Sequence, residues 1–78
     1  MPMTQQDFED KQTLIARVIA MTLEFGKFSN GKYEMYLTEG THDIKVRELN
    51  DAANLVAYSS TKADFENSLV EFATDYFA

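Results

Sequence analysis

Hydrophobic positions along the chain form two helical stretches on either side of an alternating centre. From Thr4 to about residue 27, Leu14, Val18, Met21, Phe25 and Phe28 step by four, three, four and three, the spacing of one helix face. Thr4 followed by Asp7 fits a capping box, and Asp7, Glu9 and Asp10 fall in the first turns, where the helix dipole favours acids. Gly26 marks the expected end, with Asn30-Gly31 turning the chain. Residues 32–38 and 43–49 alternate instead. Tyr33, Met35 and Leu37 share one side of the first run, and Ile44 and Val46 one side of the second, which predicts a β-hairpin. On its other side Glu34 is placed to meet Lys45 or Arg47, a cross-strand pair worth roughly 0.2–1 kcal/mol.

Asn50–Ser60 carries two signals. Leu49, Ala52, Ala53, Val56 and Ala57 fit a helical stripe that Asn50 can cap, so a short helix is expected; the alternative is a third strand over Asn54–Ser59. From Thr61 the pattern is helical again. Thr61-Lys62-Ala63-Asp64 resembles a second capping box, and Phe65, Leu69, Phe72 and Tyr76 make an apolar stripe. The expected fold is a single small α+β domain over residues 1–78, ordered αββαα or αβββα, with two long helices on one face of a small sheet.

The first helix has a second apolar face. At about 100° per residue from Leu14, Phe8, Ile15, Ile19 and Leu23 fall roughly 100–180° around the axis, leaving Thr13, Arg17, Glu24 and Lys27 the rest. Apolar residues thus cover more than half the circumference, wider than a usual core-facing stripe. Either the helix is wedged between the sheet and the terminal helix, or Phe8, Ile15, Ile19 and Leu23 form the interface of a homodimer.

Composition narrows the function classes. Of 78 residues, 45% are hydrophobic and 13% aromatic, too apolar for a disordered tail. There is no cysteine, which excludes disulfides, thiolate zinc sites and cysteine nucleophiles. Met1-Pro2-Met3 lacks the basic start and apolar stretch of a signal peptide, and no apolar run is long enough to cross a membrane, so a cytoplasmic location is expected. Thirteen acids against seven bases give a net charge of −6, which opposes direct binding to nucleic acid or an anionic membrane.

No constellation for catalysis emerges. His42 is the single histidine, with Glu39 and Asp43 nearby but no metal-ligand spacing. Ser59, Ser60 and Thr61 have no base close in sequence, and Gly26, Gly31 and Gly40 are too dispersed to cradle a phosphate. The expectation is a protein that is not an enzyme and uses neither metal nor cofactor. Lys27, Lys32, Lys45 and Arg47, with Tyr33 and Tyr36, sketch a platform for single strands. Seven acids accompany six bases in residues 1–47, so local neutralisation is the simpler account of these bases. The αβββα order is also that of double-stranded RNA binding domains, which need bases at the start of the last helix. Here Lys62 is followed by Asp64 and Glu66, the opposite electrostatics.

The excess charge is concentrated late. Residues 48–78 hold six acids, Glu48, Asp51, Asp64, Glu66, Glu71 and Asp75, against one base. Asp64, Glu71 and Asp75 align within roughly 40° on the terminal helix, and Asp75 sits in its last turn, where the dipole disfavours an acid. A small acidic αβ domain with such a row is similar in character to phage-type inhibitors that present phosphate-like charge, such as anti-restriction, anti-CRISPR and uracil-DNA glycosylase inhibitor proteins. The resemblance is one of type and rests on no shared motif. It implies a partner with a basic, nucleic-acid-binding surface, met by Asp64, Glu71 and Asp75 with Glu66, Asp51 and Glu48 flanking. The alternative is a homo-oligomeric regulatory or structural protein.

Overall fold

The computed structural model describes residues 4–38 and 40–78, the side chain at position 52 excepted. Met1-Pro2-Met3 and Glu39, which entered the readings of the N-terminus and the His42 loop, lie outside the described residues, as does the side chain of Ala52. Helix α1 spans Gln5–Phe25 and opens with the expected box: Asp7 N–H donates to Thr4 Oγ1 at 3.1 Å, and Thr4 N–H to Asp7 Oδ2 at 3.5 Å. It ends where Gly26 takes the left-handed conformation (φ 80°) and its N–H donates to Thr22 O. Only glycine adopts that conformation without a Cβ penalty.

Four strands follow: β1 Lys27–Ser29, β2 Tyr33–Leu37, β3 Ile44–Glu48 and β4 Asp51–Ser59. They form one antiparallel meander in the order β1-β2-β3-β4. Helix α2, Lys62–Phe72, then runs back and closes in a wide π-helical turn over Ala73–Phe77. The α+β class and the hairpin stand as expected, with both helices against one face of the sheet. Glu34 pairs with Arg47 rather than Lys45.

Three expectations need correction. Lys27–Ser29 is strand, because the cap at Gly26 reverses the chain and hands its backbone to β2; Leu37 N–H donates to Gly26 O at 2.9 Å. Residues 50–60 form no helix. Strand β4 runs beyond the proposed Asn54–Ser59, and a register shift sets Val46 opposite Ala57 but Arg47 opposite Leu55. That bulge makes Val56 an extra residue and breaks the period-two alternation, so the segment imitates a helical stripe. The third correction concerns which way α1 faces. Val18 and Thr22 are fully buried and Ile15 and Ile19 half-buried against the core. The inward direction therefore bisects the two expected faces, roughly 90° from Leu14. Leu14, Met21 and Phe25 are exposed on one flank and Leu23 on the other.

The core lies between sheet and helices: Val18 from α1; Met35, Ile44 and Val46 from the strands; Leu69, Phe72, Ala73 and Phe77 from the C-terminal segment. Edge-to-face pairs Phe28–Phe77 (5.4 Å) and Tyr33–Tyr76 (5.0 Å) seat the terminal turn on the sheet. Every residue from Thr4 to Leu14 is exposed, so the first half of α1 packs little against the other described residues. Among the described residues no helix is long and apolar enough to cross a membrane.

Candidate protein-binding surfaces

The acids named from the sequence occupy three settings. Asp64 belongs to the start of α2: its N–H donates to Thr61 Oγ1 (3.2 Å) and its Oδ2 accepts from that hydroxyl (2.7 Å), so a local cap accounts for it. Glu71 and Asp75 are exposed and make no hydrogen bond or ion pair among the described residues. Asp75 sits on the π-helical turn, which packs at the end of the sheet where Tyr33, Glu48 and Asp51 are successive register partners. Glu48 and Asp51 stand opposite each other on β3 and β4, a like-charge pair that costs stability; only an amide hydrogen bond from Asn54 Nδ2 to Glu48 Oε2 (3.3 Å) offsets it. Glu66 faces elsewhere. It lines an open concavity of about 310 Å³ with His42, Lys62 and Phe65, apart from the Glu71–Asp75 side.

Charge is segregated by layer. The helical segments, including the terminal turn, carry eight carboxylates against three bases, whereas the strands carry three of each. The one ion pair among the described residues, Arg47 with Glu34, is on the sheet: Nη2 and Nε donate to Oε1 at 2.6 and 2.9 Å. The Glu34 side chain is only 14% exposed and the Arg47 side chain 36%, so the carboxylate end of the pair is shielded from solvent while the guanidinium is partly open to it.

The outer face of the sheet is the surface that the sequence hid. Register aligns Lys27, Tyr36, Lys45 and Tyr58 in one row and Ser29, Glu34, Arg47 and Leu55 in the next. Arg47 lies over the Tyr36 ring at 5.0 Å and Lys45 over Tyr58 at 5.8 Å, both cation–π contacts. Tyr58 and Leu55 were missed because β4 read as a helix, and the bulge at Val56 leaves no alternation that would have placed both on the outer face. Tyr33 lies on the other face of the sheet, packed against Tyr76 and with Lys32 Nζ 5.4 Å from its ring, so it does not join Tyr36.

The oligomer face named from the sequence divides. Ile15 and Ile19 pack on the core, while Phe8 and Leu23 remain exposed. His42 packs edge-to-face on Phe65 of α2 at 5.6 Å, an interaction that pins the β2–β3 loop to the helix. Among the described residues no three or more His, Cys, Asp or Glu side chains are grouped to hold a metal ion. What the arrangement offers is an acidic helical layer and a mixed-charge, aromatic sheet face. The chain matches no family model, no curated protein and no solved structure.

Proposed function

We propose that this protein is a small binding module that acts by contact, not catalysis, with the acidic helical layer set against a basic surface of a nucleic-acid-binding protein, as an inhibitor of the phage anti-defence type does. The observation that supports this reading is the segregation of charge: eight carboxylates on the helical segments, none in an ion pair among the described residues, on a chain of net charge −6. Carboxylates held on a rigid helix at one-turn spacing present negative charge much as a phosphate backbone does. They speed association with a basic partner and lose their pull as salt rises. Glu71 and Asp75 are the strongest candidates, because no local cap or partner accounts for them.

The test is capture from a nuclease-treated bacterial lysate at low and high salt, followed by DNA-binding titrations of the protein recovered. A nucleic-acid-binding protein retained only at low salt, and displaced from DNA by the module, is the expected result. The E71K/D75K variant keeps the Asp64 cap and so the helix. It should capture that protein at least tenfold less well. Equal capture by the variant, or DNA binding indifferent to the module, would sink the proposal.

A further inference from the structure

Helix α1 has an apolar flank that the fold leaves open. Leu14, Met21 and Phe25 fall within roughly 40° of one another and span about 16 Å of axis. They are 37%, 37% and 63% exposed, although the adjoining Val18 is completely buried. Single exposed apolar side chains are ordinary, but three in line on one helix, together with an uncovered first half, make a continuous strip. Arg17 and Glu24 run along its outer side, on the edge away from the core. Neither has an ion-pair partner among the described residues.

We infer that this flank is the interface of a homodimer in which α1 packs antiparallel on α1 of a second copy. The two helices cross near Met21, and Leu14 of one protomer meets Phe25 of its partner. Charge complementarity selects this arrangement. About a two-fold axis, residues on the same edge of the two helices face each other, and a crossing near Met21 sets Arg17 of each protomer against Glu24 of the other. A parallel pair would instead put Arg17 and Glu24 of the two protomers on opposite edges of the seam, where they cannot pair, and bring the acidic first turns holding Asp7, Glu9 and Asp10 to the same level. The opposite flank, with Leu23, has no such charge pairing along it. A strip about 16 Å long is smaller than the usual stable interface, so the dimer calls for high protein concentration. The inference is independent of the acidic-layer reading, since it leaves Glu71 and Asp75 on α2 untouched.

Sedimentation velocity from 10 µM to about 1 mM reads it directly. Wild type should pass from monomer to dimer across that range. M21E should stay monomeric with an unchanged far-UV CD spectrum, because Met21 is outside the core. R17E and E24R should each weaken dimerisation at least tenfold, and an equimolar mixture of the two should form heterodimers, since each then supplies the charge the other lacks. That mixing result separates a specific antiparallel register from nonspecific stickiness. A wild-type chain that remains monomeric at 1 mM overturns the inference. So does a dimer that survives M21E but is lost in L23E, or a mixture of R17E and E24R that stays monomeric.

Discussion

The two faces of the sheet are made from alternate residues of the same strands, yet they serve opposite ends. Met35, Ile44 and Val46 point inward and retain no solvent exposure, whereas Tyr36, Lys45, Arg47 and Tyr58 point outward and keep a part-exposed surface of rings and cations. The difference teaches where stability resides. Inward side chains gain from removal of apolar area from water, roughly 25 cal/mol per Å². Outward ones gain little, because cross-strand pairs in partial contact with water are worth a few tenths to about 1 kcal/mol each. A thin core, eight buried apolar side chains among the described residues, therefore carries a domain whose other surfaces are free to diversify.

The comparison is broken most sharply on the inner face. Met35 lies at the centre of the sheet between Phe28 and Val46, so Met35→Ala leaves a cavity and should cost about 2–5 kcal/mol in urea unfolding. For a domain of this size that is a large share of total stability, and the thermal midpoint should drop by at least about 10 °C. A loss under 1 kcal/mol would place the principal core elsewhere. On the outer face, Arg47→Ala strands Glu34, whose side chain is mostly covered, and removes the guanidinium from Tyr36. The expected cost is about 1–2 kcal/mol, and a double-mutant cycle with Glu34→Ala should recover a coupling near 1 kcal/mol. Zero coupling would mean the 2.6 Å pair contributes nothing in solution. The smallest effect is of opposite sign. Ser59 lies on the inner face beside Ile44, and its buried hydroxyl has no hydrogen-bond partner among the described residues. Ser59→Ala removes that unsatisfied group and should be neutral or stabilise by up to about 1 kcal/mol; a clear destabilisation would reveal a partner for the hydroxyl.

Local chemistry settled much of this protein before any folding was considered. The Thr4–Asp7 box, the left-handed Gly26, the Asn30-Gly31 turn, the alternation of the hairpin and the Phe65–Leu69–Phe72–Tyr76 stripe are all short-range signals, legible because each works within a few residues. The charge of the candidate surfaces was legible for the same reason: composition does not depend on the fold. Three features needed the tertiary structure. A three-residue strand such as β1 has too few positions to show a period, and only pairing with β2 defines it. Strand β4 carries bulges against β3, and an inserted residue destroys the alternation by which a strand is read. The orientation of α1 was decided by the rest of the core: with apolar residues on more than half the helix, several rotations bury similar area, and packing against β1, β2 and the terminal turn chose the one that buries Thr22. Its hydroxyl, hydrogen-bonded to Val18 O at 2.8 Å, makes that burial tolerable. Sequence periodicity reports which residues share a face, but only the surfaces that close around a helix decide which face is inside.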